Sequence, residues 1–155
     1  MSTTVVGIIS DTHGLMRPQA LDALRGSDLI IHAGDVGKPA VLDALRAIAP
    51  IYAVRGNIDT GEWALALPLR QQVTLAAHRL LVLHDISELD VDPAAAGLAA
   101  VVFGHSHMPA IEQREGVLFL NPGSAGPRRF KLPVALARIR VSRRTLRPEI
   151  MELAV

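Results

Sequence analysis

At 155 residues the chain is long enough for one domain with a sizeable core, and half of its residues are hydrophobic. Its net charge of +1 excludes a strongly polar field as a guide to partners, and the lack of cysteine excludes disulfides, thiolate zinc sites and cysteine nucleophiles. The first apolar run covers only residues 5–9 and follows no basic segment, so neither a signal peptide nor a membrane span is expected, and the cytoplasm is the expected compartment.

Residues 4–9 form a near-continuous apolar run, the pattern of a strand covered on both faces. Pro18 suits the first turn of a helix whose stripe includes Leu21 and Leu24. Asp28–Ala33 reads as a second strand, Pro39 opens a second helix that Pro50 closes, and Ile51–Val54 reads as a third strand. This strand–helix alternation predicts a parallel sheet with right-handed crossovers.

The second half changes character. Segments 70–76 and 79–83 read as a hairpin turning near Ala77-His78, and a short alanine-rich helix is expected over Pro93–Leu98 before a strand at Ala100–Phe103. Ala110–Arg114 and Val117–Leu120 form a further hairpin turning at Glu115-Gly116. Val134–Val141 alternates, with Ala135, Ala137, Ile139 and Val141 on one face, and a last strand ends near Met151. Together these elements predict two packed sheets flanked by helices in a single domain over residues 1–155.

Five short segments follow apolar runs: Asp11-Thr12-His13, Gly34-Asp35, Gly56-Asn57-Ile58-Asp59, His84-Asp85 and Gly104-His105-Ser106-His107. Each belongs where a strand runs out into a loop, the place where α/β folds bind ligands. Asp11 and His13 are two residues apart, as are His105 and His107, so each pair can face one side of an extended segment. Asp11, His13, Asp35, Asn57, His84, His105 and His107 supply nitrogen and oxygen donors for two divalent transition-metal ions. Asp35 suits the bridging position between ions about 3.5–4 Å apart, where a shared water becomes hydroxide near neutral pH and attacks phosphorus in line. Manganese is the expected metal, and nickel, iron and zinc suit the same donors.

The ordered set D-x-H, G-D, G-N-x-D, H and G-H-x-H, followed by Asn121-Pro122-Gly123-Ser124, resembles the calcineurin-like metallophosphoesterases and, within them, the small YfcE-like phosphodiesterases. The resemblance runs from residue 5 to about residue 130. It implies an α/β fold, a two-sheet α/β/β/α sandwich with mixed sheets and the metal site at the C-terminal ends of strands. It also implies one ion held by Asp11, His13, Asp35 and His107 and another held by Asp35, Asn57, His84 and His105. Asn57 would orient a phosphate oxygen and Asp59 would orient a neighbour, making these two the expected catalytic residues. The chain departs from the pattern at Asp85, where the family has glycine, and at Ile58, where it has a histidine or cysteine. If position 85 needs a positive φ, Asp tolerates it less well than Gly.

The expected partner is a small phosphoester substrate, and assembly into a homo-oligomer is compatible with the sequence. Two alternatives are a non-catalytic scaffold resembling the retromer scaffold subunit and a nuclease. The filled donor positions disfavour the scaffold. Eight basic residues and no acidic one between Gly116 and Pro148 would suit a nucleic acid or merely a solvated face, and a supply of five aromatic residues disfavours the nucleic acid. Arg55 and Arg128 flank site segments, where each can meet a phosphate or lie on the surface; His32 reads as a satisfied core histidine, His78 as exposed in a turn, and Trp63 as packing a short helix onto the core.

Overall fold

The computed structural model describes residues 3–155. Ten strands form two mixed sheets of five. In the first, β1 (Thr4–Ile9), β2 (Leu29–His32) and β3 (Ile51–Ala53) are parallel neighbours. The chain reaches each next strand through α1 (Pro18–Leu24) and α2 (Pro39–Arg46), both opened by proline in the first turn. A later hairpin, β9 (Ala135–Val141) and β10 (Leu146–Glu152), extends this sheet antiparallel on the far side of β1.

The second sheet runs β4 (Arg70–Leu75), β5 (His78–Leu83), β6 (Ala100–Val102), β8 (Val117–Asn121) and β7 (Ala110–Arg114). Its central strands β5, β6 and β8 are parallel, and the outer ones pair antiparallel as hairpins. The β4–β5 turn is Ala76-Ala77, both at positive φ, which moves His78 into the ladder opposite Leu75. His78 is therefore half-buried, with its Nε2 at 2.9 Å from the Ser142 carbonyl.

The sheets bury a common core. Val6, Ile8, Ile31, Ala137 and Ile139 of the first meet Val73, Leu80, Val82, Val102, Leu118 and Leu120 of the second. The other face of the first sheet, including Ile9, Ile30 and Leu136, lies under Ala20, Leu24, Val41 and Leu45 of the two helices. Trp63, on the short helix α3 (Glu62–Leu65), packs against this same cluster.

The outer face of the second sheet has a thinner cover. A 3-10 turn at Ile86–Glu88 and the stretch 93–98 lie over Leu81, Leu83 and Val101. The expected helix at Pro93–Leu98 is instead a run of turns. Asp92 Oδ1 accepts the Ala94 and Ala95 amides, its carbonyl accepts Ala96, and Gly97 at φ 74° ends the winding after that one turn. Among the described residues no helix is long and apolar enough to cross a membrane.

Leu120 lies fully buried between the sheets, whereas Ile111, its cross-strand partner, is 42% exposed. Leu120→Ala is expected to destabilise the protein by about 2–5 kcal/mol and Ile111→Ala by less than about 1 kcal/mol, because a cavity forms only where neighbours cannot close in. Urea denaturation of the two variants checks this; equal losses would move the core elsewhere.

Candidate metal centre

The parallel strands of both sheets end on one edge, and their loops meet there. Nine non-glycine residues have positive φ among the described residues, and five of them are Asp11, His13, Asp35, His105 and His107. A left-handed conformation costs roughly 1 kcal/mol or more for an ordinary side chain, and persists only where the surroundings hold it. Here the loops are tied to one another. The amides of Asp11, His13 and Gly14 donate to the carbonyls of Gly34, Asp35 and Val36, and the His105 amide donates to Asp11 Oδ2 at 3.1 Å. The contact between the Asp35 and Asn57 loops is so close that a Cβ on Gly56 would lie 2.1 Å from Asp35 Oδ1.

This backbone gathers two groups of donors. Atoms of Asp11, His13 and His107 lie within 4.8 Å of one another, as do atoms of Asp35, His84 and His105. Asp35 faces both groups: its Oδ2 is 3.5 Å from His13 Nε2 and 3.1 Å from His84 Nε2. The remaining oxygen of Asp35, Oδ1, accepts the Ile58 amide at 3.1 Å. The Asn57 amide oxygen lies 3.1 Å from His84 Nε2 and 3.3 Å from both oxygens of Asp35. Rotating that amide would satisfy it as a donor, but acceptors converging on one point are what a cation between them requires.

The donor set fits metal ions on a second count. Asp11 Oδ1 and His13 Nε2 are buried without a hydrogen-bond partner. Their buried polar neighbours would leave a costly defect in a site built only of protein. The orientation of His84 is also set for a ligand: its Nδ1 donates to the Ala33 carbonyl at 2.7 Å and leaves Nε2 toward the cluster.

Charge is concentrated here. Burial opposes ionisation of Asp11, yet the imidazoles of His107 and His13, at 3.3 and 3.8 Å from its Oδ1, and the hydrogen bond from Ser10 to its Oδ2 outweigh it and hold the carboxyl well below the usual range. Burial likewise pushes the His84 imidazole down, but the Asp35 and Asp11 carboxylates raise it to about 9 in the metal-free protein. His32 goes the other way. It is fully buried, and desolvation lowers it to about 4 against the pull of Asp11 and Asp59. Its Nδ1 accepts the Gly34 amide, so the neutral ring donates from Nε2 to Thr12 Oγ1 at 3.0 Å, and Thr12 donates onward to the Val36 carbonyl.

The structure gives the remaining sequence candidates distinct places. Asp59 is buried and accepts three backbone amides, Val36, Gly37 and Gly56, so it clamps the Asp35 loop to the Asn57 loop. Asp85 has φ −115°, an ordinary extended value, so the position imposes no need for glycine. Its Oδ1 caps the following 3-10 turn through Ser87, and its Oδ2 lies 3.7 Å from His105 Nε2. Ile58 is 39% exposed, beside the cluster by its backbone and with no proton on its side chain. No role was legible in the sequence for Ser10, whose hydroxyl donates to Asp11 Oδ2, or for the side chain of Asn121, which donates to the Gly104 carbonyl. Their positions directly beside D-x-H and at the end of β8 were the available signals.

The description of the calcineurin-like phosphoesterase superfamily domain matches residues 5–144. The chain belongs to this superfamily. A probable metallophosphoesterase of Methanothermobacter thermautotrophicus is 31% identical over 95% of this chain and 91% of its own length. The phosphodiesterase YfcE of Escherichia coli is 31% identical over 74% of this chain and 76% of its own. Among solved structures, Vacuolar Protein Sorting 29 of Cryptosporidium parvum shares the fold, with a TM-score of 0.84 over 98% of this chain and 92% of that one at 17% identity.

His32 makes a pH prediction with a definite sign. With its folded value at about 4 against 6.5 unfolded, the unfolded chain binds more protons between these limits. The stability due to neutral His32 is complete above pH 6.5 and is lost as the pH falls toward 4, by up to about 3 kcal/mol. Denaturant titrations of the chelated protein from pH 7.5 to 4.5 should show this loss in addition to that of a His32→Gln variant. Parallel curves for the two proteins would show that the ring is protonated in the fold.

Proposed function

We propose that residues 1–155 act as one cytoplasmic metallophosphoesterase domain that hydrolyses small phosphodiesters with two divalent ions. The observation that carries this reading is the placement of Asp35 Oδ2 between His13 and His84, one from each donor group. Asp11, His13, Asp35 and His107 would hold one ion, and Asp35, Asn57, His84 and His105 the other. Manganese suits this set of imidazoles, carboxylates and one amide, as do iron, nickel and zinc. When bound, such a pair supplies an acidified water and electrostatic stabilisation of a phosphoryl group.

The chain's own residues supply the geometry. With its oxygen turned to Asp35 and His84, Asn57 has its Nδ2 free to donate to a phosphoryl oxygen. Asp59 acts through the backbone by clamping the loops that carry Asp35 and Asn57, and is a positioning residue. The side chain of Ile58 gives no proton to a departing alcohol. Asp85 adds a carboxylate near His105, which disfavours the second charge of a monoester. The scaffold reading would leave the buried, unpartnered Asp11 and His13 atoms without a role.

Metal dependence is tested by elemental analysis after loading with Mn²⁺. The protein should retain close to two equivalents, Asp35→Asn should lose most of them, and a chelator should abolish turnover of bis(4-nitrophenyl) phosphate. Full metal retention by Asp35→Asn would exclude the bridge.

A positioned general acid contributes about 10²–10⁴-fold, so its absence at Ile58 should appear in the choice of ester. Rates across substituted phenyl phosphodiesters are expected to fall steeply as the leaving-group pKa rises, with Ile58→His flattening the slope and diesters exceeding the matching monoesters. A shallow slope in the unmodified protein would mean that another residue delivers the proton.

A further inference from the structure

The donor cluster opens on two sides that differ in charge. Beyond His84 and His105 lies a cavity of about 130 Å³ whose lining includes Arg55, Asp85 and Glu88. Beyond His13 and His107 lies a depression of about 160 Å³ lined also by Pro127, Arg128 and Arg129, with no carboxylate among the described residues that form it. A substrate lying across the cluster therefore meets two carboxylates and Arg55 at one end and two guanidinium groups without a carboxylate at the other.

The basic end is carried by a segment whose base is fixed to the donor loop. The Ser124 hydroxyl donates to the Asp11 carbonyl at 2.9 Å, the Ala125 amide donates to the Ser10 carbonyl, and Arg17 donates twice to the Gly126 carbonyl. Gly126 approaches so closely that a Cβ there would lie 2.4 Å from the Thr12 carbonyl oxygen. Directly after this anchor, residues 127–131 are exposed. Phe130 is 88% exposed and has φ 53°, a left-handed conformation unfavourable for a bulky side chain. Burial inside the fold offsets none of that strain. Next in the chain to the two arginines that line the depression, the exposed Phe130 ring offers a face for a base, while Arg128 and Arg129 offer charged donors for a phosphate.

We propose that residues 127–131 form a specificity subsite for one substituent of the diester, and that this substituent is a nucleotide. Its base stacks on Phe130, and a phosphate of its own, separate from the one being hydrolysed, is held by Arg128 and Arg129. Asp85 and Glu88 at the other end repel such a phosphate and so fix the direction in which the substrate lies. The inference rests on the phosphodiesterase reading and narrows its substrate from small diesters in general to those bearing a phosphorylated nucleoside.

Calorimetric titration of the Mn²⁺-loaded protein with thymidine 3′,5′-bisphosphate and with thymidine 5′-monophosphate tests it without turnover. The bisphosphate should bind at least about tenfold more tightly. In an Arg128→Gln/Arg129→Gln variant that preference should shrink below about twofold, with metal content and melting temperature unchanged. Phe130→Ala should weaken both ligands at least about fivefold, the lower end of measured base stacking. Equal affinities in the unmodified protein, or a preference that survives the double substitution, would overturn the subsite. Binding is read independently of catalysis, so a protein that hydrolyses no diester yet prefers the bisphosphate would refute the enzymatic reading and retain the nucleotide site.

Discussion

The Asp35 carboxylate sits where three other polar side chains, His13, His84 and Asn57, converge on it. One oxygen is held by the Ile58 amide, and the other stands between His13 and His84. In the metal-free protein the Asp35 and Asp11 carboxylates raise His84 to about 9 despite its burial, so a proton on His84 joins it to Asp35. A divalent ion would replace that proton at the same atom, because imidazole binds metal only when its nitrogen is free. Proton and metal would compete for one arrangement of side chains, and that arrangement is already formed.

Keeping it formed is the work of the loops. Five donors adopt left-handed backbone conformations, and Asp and His are among the residues that tolerate this region best. The strain is sustained by hydrogen bonds that run from loop to loop and by the Asp59 carboxylate, which gathers three amides from two of them. His32 and Thr12 add a buried chain beneath the same loops. None of these groups reaches the point where donors converge, and each restricts the loops that carry them.

Much of the fold was legible because its signals are local. Short apolar runs ending in glycine, aspartate or histidine marked strand ends, and prolines at 18 and 39 marked helix starts. The two-sheet architecture and the family followed from the order of the motifs. Segment 93–98 was misread because alanine content suggests a helix, whereas Asp92 and Gly97 enclose too few residues for more than a turn. The grouping of Asp11, His13, Asp35, Asn57, His84, His105 and His107 at one edge could be anticipated from spacing and resemblance. The clamp made by Asp59 could not, since it depends on amides 20 or more residues away in the chain. Likewise the extended conformation of Asp85 is set by its bond to Ser87, which a comparison of residue types does not reveal.

The origin of the donors has a mechanical consequence. Asp11, His13, Asp35 and Asn57 extend from the strands of one sheet, and His84, His105 and His107 from those of the other. Each donor group therefore draws on both sheets, and an ion held by either would rivet them at one edge of their shared core. Any ligand that binds only the folded state adds to stability, by about 2.7 kcal/mol at a free concentration one hundred times its dissociation constant. Occupancy and the cohesion of the two layers would then form a single equilibrium: scarcity of metal in the surroundings would loosen the sandwich along the edge where the donors converge.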